Sequence, residues 1–330
     1  MFAPAPSLYR DRLRPEDAGL TPVDTGADGF RRRRCGKGFT YLDTSGRRLG
    51  GKQAARLKAL AIPPAWEDVW ICPDPDGHIL AYGTDDQGRR QYIYHPDWLE
   101  AANAAKFSDM AHFAEALPRV RAHVRRILES SDDNALVAHA TVVRLMDRAG
   151  LRIGSYAHYR RTGARGALSL GRDNIEINGH RVRLNFTGKG GQAQEIEIDD
   201  PYLYESLKQI LKTSSELVFR DDRRRVTEAS LNAMMAELFG RSFTAKDFRT
   251  WGGSVAATAW LRRNAEPTLK GVAEAAADWL GNTPAIAQSS YIHPAILEAA
   301  RTVRVPDDPG RPTRLRVDER ACLGVIRSAA

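Results

Sequence analysis

The hydrophobic period of this chain changes near residue 99, and that change constrains the fold more than any other feature of the sequence. Before it, short runs alternate with period two, as strands require. GFTYLDTSGRRL, from Gly38, has a Ser-Gly turn between two such runs, and VWICPDPDGHILAYGT, from Val69, has an Asp-Gly turn. GRRQYIYHPDW adds the alternating strand Gln91-Tyr92-Ile93-Tyr94. From about Leu99 the period becomes helical. ALPRVRAHVRRIL places Val120, Val124 and Leu128 on one face, and NALVAHATVVRLMDRAG places Leu136, Ala140, Val143 and Met146 on one face. Asp132 or Asp133 can cap that second helix, which stops near Gly150.

A β insert interrupts the helices. It runs from Ala167–Leu170 through NIEI, an Asn178-Gly179 turn, RVRLNF, a glycine-rich turn and QEIEI. Asn-Gly between alternating runs is a strong hairpin signal. Helices then resume. Thr227 begins one through Phe239, Thr244 with Asp247 forms a capping box for one reaching about Arg263, and another covers Leu269–Leu280. Gly281 fits a C′ position, Asn282 or Thr283 a new cap, and Pro284 the first turn of a short helix ending at Tyr291. The expected fold is α+β: a small antiparallel β-rich N-terminal domain (31–100), then a larger mainly α domain (101–300) with a three-stranded β insert. Residues 1–30 are expected to be poorly ordered, and 301–330 to form a basic tail.

Charge narrows the partner. Lys and Arg number 49 against 41 Asp and Glu in 330 residues, a formal net charge of +8. Most of the cations are arginines, whose planar fork suits phosphate. Cys35, Cys72 and Cys322 are far apart and form no C-x-x-C pair, so neither a disulfide framework nor a zinc site is suggested. The N-terminus lacks a signal-peptide core, and no apolar run approaches the ~20 residues of a membrane span. A cytoplasmic, nucleoid-associated protein is expected.

Several residues could carry phosphate chemistry. Arg152 follows a helix in LRIG, Lys189 sits at a hairpin tip in FTGKGG, Arg249 lies one turn inside a capped helix in AKDFRTW, and Asn282 precedes Tyr291 by nine residues. Taken singly each has a plain explanation: a surface arginine, a solvated turn lysine, a local ion pair, a helix cap, a packed aromatic. TGKGG lacks the spacing and the following Ser or Thr of a phosphate-binding P-loop.

Taken together, LRIG, the insert ending in F-x-GK-x-G, KDFRTW, and LGNTP followed by SYIHP resemble the type IB DNA topoisomerases of the bacterial and poxvirus-like branch. IPPAWEDVWI, GHILAYGTDDQGRRQY and YHPDW resemble that family's DNA-clamp domain, so the likeness spans about residues 30–300. The resemblance implies two lobes forming a clamp around duplex DNA, and a monomer with no cofactor or metal. It implies that Tyr291 attacks the scissile phosphate while Arg152 and Arg249 grip its oxygens. Lys189, on a mobile hairpin, would protonate the leaving 5′ oxygen, alone or with Arg152. Asn282 stands where the family frequently has histidine. Asparagine can hold an oxygen but cannot carry charge or shuttle a proton. Gln91, Tyr92 and Tyr94 match positions that touch DNA from the clamp, with Arg89, Arg90 and Lys246 as further DNA contacts. The patches Arg31–Arg34 and Arg301–Arg316 would add nonspecific affinity.

Two rivals share parts of this pattern. A tyrosine recombinase has the same catalytic residue types, but usually H-x-x-R where this chain has Lys246-Asp247-Phe248-Arg249, and a helical rather than β-rich N-terminal domain. A noncatalytic duplex-binding protein would have no need of Tyr291.

Overall fold

The structure, a computed structural model, describes residues 13–214, 216–219, 226–241, 243–302 and 314–329. It divides into two compact units, Met1–Ser108 and Asp109–Ala330.

The first unit contains β1 (Phe30–Cys35), β2 (Gly38–Leu42), α1 (Gly51–Ala59), β3 (Glu67–Ile71), β4 (Ile79–Thr84), β5 (Arg90–Tyr94) and α2 (Pro96–Ser108). Its strands form one antiparallel sheet in the order β2-β1-β3-β4-β5. Alternation sends Val69 and Ile71 to one face and Trp70 to the other. The first face packs with Phe30, Tyr41, Leu57 and Trp66, and the second with Leu20, Ile79, Tyr94 and Trp98. Part of the segment expected to be poorly ordered belongs to this core. Pro15–Ala18 forms a 3₁₀ turn, Leu20 is buried, and the Val23 amide donates to His78 Nδ1 at 3.0 Å. An apolar side chain with a waiting cluster overrides a Pro- and Gly-rich composition. Residues 1–12 of that segment lie outside the described residues.

The second unit contains α3 (Met110–Ser130), α4 (Asn134–Ala149), α5 (Tyr156–Thr162), β6 (Ile175–Asn178), β7 (Arg181–Thr187), β8 (Ala193–Asp199), α6 (Pro201–Thr213), α7 (Glu228–Phe239), α8 (Ala245–Arg263), α9 (Leu269–Leu280), α10 (Pro284–Ser290), α11 (Pro294–Thr302) and α12 (Val317–Ser328). Strands β6, β7 and β8 form the three-stranded insert, with Gly179 at φ 58° in the first turn. Ala167–Ser169, read as part of the β insert, is a buried 3₁₀ turn instead. The amides of Ala167 and Leu168 are taken by the carbonyls of Arg152 and Ile153, which leaves no ladder for a strand.

Helix α3 buries Phe113, Leu117, Val120, Val124 and Ile127, so Ile127 rather than Leu128 completes its face. Helix α4 is covered on several sides, yet Leu136 in its first turn is exposed. Phe113, Phe239, Phe243 and Phe248 stack from α3, α7 and the start of α8, with ring centroids 4.9–5.8 Å apart. This aromatic knot fixes where α8 begins.

The expected basic tail contains α12. Cys322, Leu323 and Ile326 are buried. Arg121 on α3 bridges Asp147 on α4 and Glu319 on α12 at 2.6–2.9 Å. Glu319 is 3% exposed, so the pairing compensates a charge that burial would otherwise penalise. Residues 303–313, with part of the second basic patch, lie outside the described residues. No helix among the described residues is long and apolar enough to cross a membrane.

Candidate active site

Three helix ends converge on one place. Helix α4 stops at Gly150, which takes φ 56°, ψ 33° and leads through buried Leu151 to Arg152. Glycine is required there twice over: the φ is left-handed, and a Cβ would meet the Trp279 ring at 2.5 Å. The Arg152 carbonyl accepts from Ala167 N at 2.8 Å, and Gly154 packs directly on Gly166. Arg152 is therefore held by backbone on both sides while its half-buried side chain stays available.

Helix α8 starts at the expected capping box, where Asp247 Oδ2 accepts from Thr244 N at 2.7 Å. Lys246 and Arg249 follow one turn apart on one face. Arg249 is 4% exposed. Its Nη1 donates to the Gly150 carbonyl and its Nη2 to the Leu280 carbonyl at 3.0 Å, joining the ends of α4 and α9. Its buried Nε has no partner among the described residues. Burial, then the charge of Arg152, pushes its pKa down to about 10, so it remains cationic at neutral pH.

Helix α9 ends at Gly281 with φ 58°, ψ 53°, and Thr283 caps α10 with Pro284 inside its start. Tyr291 is the C-cap of α10, and its amide donates to Ala287 O at 2.9 Å. Its carbonyl accepts from Ser254 Oγ at 3.2 Å, and the same hydroxyl accepts from His293 N at 2.9 Å. The Arg249 guanidinium carbon stands 5.0 Å from the Tyr291 ring centroid. Burial pushes the phenol pKa up, but the charge and hydrogen bond of Arg249, with the charges of Arg152 and Lys246, hold it below its ordinary 10.0. Both polar atoms of the Asn282 amide are buried without a partner among the described residues. An orphaned amide of this kind costs about 1–3 kcal/mol until something fills it.

Arg152, Arg249 and Gly281 also line a cavity of about 170 Å³, with Arg165, Gly188, Gln194, Asp278 and Trp279 around it. The structure thus brings Arg152, Lys246, Arg249 and Tyr291 within electrostatic reach of one another and sets Asn282 at the same helix junction. Lys189 stands apart. It is exposed, at the β7–β8 tip beside Gly190 (φ 78°) and Gly191 (φ 75°), next to the cavity-lining Gly188. Burial and then the charge of Arg161 lower the His158 pKa, and the Lys189 charge adds to that shift.

The DNA-contact candidates in the first unit divide by strand face. Asp85 accepts from Arg89 Nε and Gln91 Nε2, both at 2.8 Å. These bonds, that from Arg89 foremost, hold the Asp85 carboxyl far below its usual range. Arg90 lies 4.5 Å over the Tyr82 ring, and Tyr92 is half-buried between Tyr82 and Tyr94. Tyr94 is 8% exposed and packs in the second core cluster, a core residue's placement. Of Arg31–Arg34, Arg32 is turned inward, with Nη1 donating to the carbonyls of Ile62 and Pro63 and Nη2 to that of Trp66. Arg31, Arg33 and Arg34 are exposed.

Sequence reasoning missed Ser254, Trp279 and the pair Gly252-Gly253. A Cβ on Gly252 would lie 1.9 Å from Trp279, and one on Gly253 would lie 3.1 Å from the Tyr291 carbonyl. The available signal was two glycines inside a helical pattern, which cost stability without a packing reason.

Comparison with known proteins supplies the family. The model of the eukaryotic DNA topoisomerase I catalytic core matches residues 96–290, and that of the bacterial DNA topoisomerase IB N-terminal domain matches 38–85. DNA topoisomerase 1B of Acanthamoeba polyphaga mimivirus is 26% identical over 292 residues, 82% of this chain and 87% of its own. DNA topoisomerase 1B of Vaccinia virus (strain Copenhagen) is 23% identical over 240 residues, 68% of this chain and 73% of its own. Among solved structures, a XerH site-specific recombinase bound to its palindromic difH substrate covers 67% of this chain and 59% of its own at 14% identity. Its TM-score is 0.40.

Proposed function

This chain belongs to the type IB DNA topoisomerase family and relaxes supercoiled duplex DNA, and from that premise we propose that Tyr291 is its nucleophile, with Arg152, Arg249, Asn282 and Lys189 as the groups that serve it. The catalytic-core match stops at residue 290, so the support for Tyr291 is geometric. One observation carries the assignment. The guanidinium of the buried Arg249 lies over the Tyr291 ring, 5.0 Å from its centroid, and the charges of Arg249, Arg152 and Lys246 together hold the phenol pKa below its ordinary value.

A free phenol is mostly protonated at neutral pH, and neighbouring cations favour the phenolate. The phenolate oxygen attacks the scissile phosphorus in line, forming the Tyr291 O–P bond. The P–O5′ bond breaks, and the electron pair leaves with O5′. Charge grows on the equatorial oxygens, which the side chains of Arg152 and Arg249 grip, and Asn282 supplies an amide N–H that has no partner among the described residues. Lys189 delivers a proton to O5′ from its exposed hairpin, because an alkoxide leaves poorly without one. The 3′-phosphotyrosyl bond keeps the energy of the broken linkage, so the freed 5′ hydroxyl can reverse the reaction without ATP. Between the two steps the cut strand swivels and supercoils are lost. Arg90 and Tyr92 of the first unit, with Lys246 of the second, are proposed as duplex contacts, and the cytoplasmic nucleoid as the place of action.

The test is a denaturing gel of the purified full chain with a duplex that traps cleaved product. A DNA-linked band is expected from the native chain and none from Tyr291→Phe, which also loses relaxation. An adduct that survives Tyr291→Phe sinks the assignment.

A further inference from the structure

Gln194 is used by none of the chemistry above, yet its side chain lies between two of the residues that are. It projects from β8, opposite Phe186 on β7. A Cβ on Gly188, the residue before Lys189, would lie 3.0 Å from Gln194 Cγ. On its far side Nε2 donates to the carbonyl of Gly281, the residue before Asn282, at 3.4 Å, and to the Ala193 carbonyl at 3.1 Å. A Cβ on Gly281 would lie 2.0 Å from Oε1, so the amide end is seated against bare backbone. Gly188 and Gly281 line the 170 Å³ cavity, one from the hairpin side and one from the helical side, and Gln194 lines it as well.

We propose that Gln194 is a positioning residue: it latches the hairpin that carries Lys189 to the Gly281–Asn282 turn, so that the acid is presented to the phosphate held by the helical residues. The inference rests on the reading of Lys189 as the acid. The need for a latch follows from the tip. Gly188, Gly190 and Gly191 flank Lys189, and glycine has the largest backbone freedom to lose. Lys189 itself is exposed and gains no hold from packing. Backbone bonds close the tip (Gly188 N to Gln192 O, 2.7 Å) and tie its base to the Arg165 loop (Arg165 N to Thr187 O, 2.8 Å), and the Gln194 side chain adds the tie to the Gly281–Asn282 turn. The hydrogen bond to Gly281 is long at 3.4 Å, and the close seating of the amide against the bare Gly281 backbone supplies the rest of the hold.

Two substrates separate this role from mere packing. Cleavage is measured under single-turnover conditions on a normal duplex and on one whose bridging 5′ oxygen is sulfur. That sulfur leaves as a thiolate and needs no acid, because a thiol has a pKa of about 8.5, far below an alcohol's. Misplacing a catalytic group by an ångström can cost about 10²-fold, so Gln194→Ala should slow normal cleavage by about tenfold or more. On the sulfur substrate it should stay near the native rate, and Gln194→Ala with Lys189→Ala should be no slower on the normal duplex than Lys189→Ala alone. Equal slowing on both substrates, additive slowing in the double variant, or no slowing at all overturns the latch. Failure of the sulfur to rescue Lys189→Ala would instead overturn the assignment of Lys189 beneath it. Thermal melting of each variant guards against loss of fold.

Discussion

The helical seat of Tyr291, the proposed nucleophile, and the hairpin tip that carries Lys189 are built on opposite principles. Arg249 is 4% exposed, ties two helix ends through backbone carbonyls and stacks near the Tyr291 ring. Tyr291 is itself fixed through Ser254. Lys189 is exposed on a two-stranded projection ending in glycines with φ near 75–78°. The contrast fits the chemistry. Groups that stabilise charge act best when preorganised and desolvated. A proton donor acts only when the leaving oxygen arrives, and on religation it must take the same proton back. The buried seat therefore belongs to the fold, and the exposed tip is where the proposed proton donor meets the leaving oxygen.

Lys189→Ala gives the largest expected effect and tests the hairpin half of the contrast. Positioned acid catalysis contributes about 10²–10⁴-fold, so normal cleavage should fall by that order. Melting temperature should hold, since exposed substitutions usually change stability by no more than about 0.5 kcal/mol. A variant that loses melting temperature as well as rate would show that the tip is structural, and the contrast would fail.

Gly252→Ala tests the other half. The new Cβ would lie 1.9 Å from Trp279, the ring that also fills the space beside Gly150. Overpacking of this kind costs about 1–3 kcal/mol, so urea or thermal unfolding should show a clear loss. Because Trp279 packs against both Gly150, two residues before Arg152, and the helix of Arg249, cleavage should slow in a well-folded fraction too. Unchanged stability would mean that Trp279 has room to move and that the seat is less rigid than its burial implies.

How far these two regions could be read from the sequence follows the same division. The caps were legible because they are local: Thr244 with Asp247, Gly281 with Thr283 and Pro284, and Asn178-Gly179 each declare themselves within four residues. The strands of the first unit were legible from alternation, but their order β2-β1-β3-β4-β5 and the face that Tyr94 meets were not, because both faces of that sheet are covered. Likewise the periodicity of α4 could not show that Leu136 lies outside the packed part. The wedge of Trp279 against Gly150 and Gly252, and the reach of Gln194 to Gly281, join residues 27 to 129 positions apart and leave no local trace. Within the site, residue types were legible and distances were not. Lys246 was expected to touch DNA, and the structure adds that its charge reaches the Tyr291 phenol.

That placement of Lys246 gives the smallest expected effect and the sharpest test of the seat as an electrostatic device. Burial works against the Tyr291 phenolate, while Arg249, Arg152 and Lys246 favour it, Lys246 being the weakest of the three. Removing that cation in Lys246→Met leaves burial less opposed, so the phenol pKa rises toward its ordinary 10.0. The cleavage rate rises with pH as the phenolate forms. Its midpoint should therefore move to higher pH in the variant, with a few-fold deficit near neutrality that closes as the pH is raised. A lysine that served only as a phosphate contact would behave differently. Its loss would weaken DNA binding, reduce the salt dependence by about one counterion, and leave the midpoint where it was. Measuring single-turnover cleavage against pH at saturating enzyme separates the two. An unshifted midpoint would remove Lys246 from the seat and leave Arg249 and Arg152 to set the nucleophile alone.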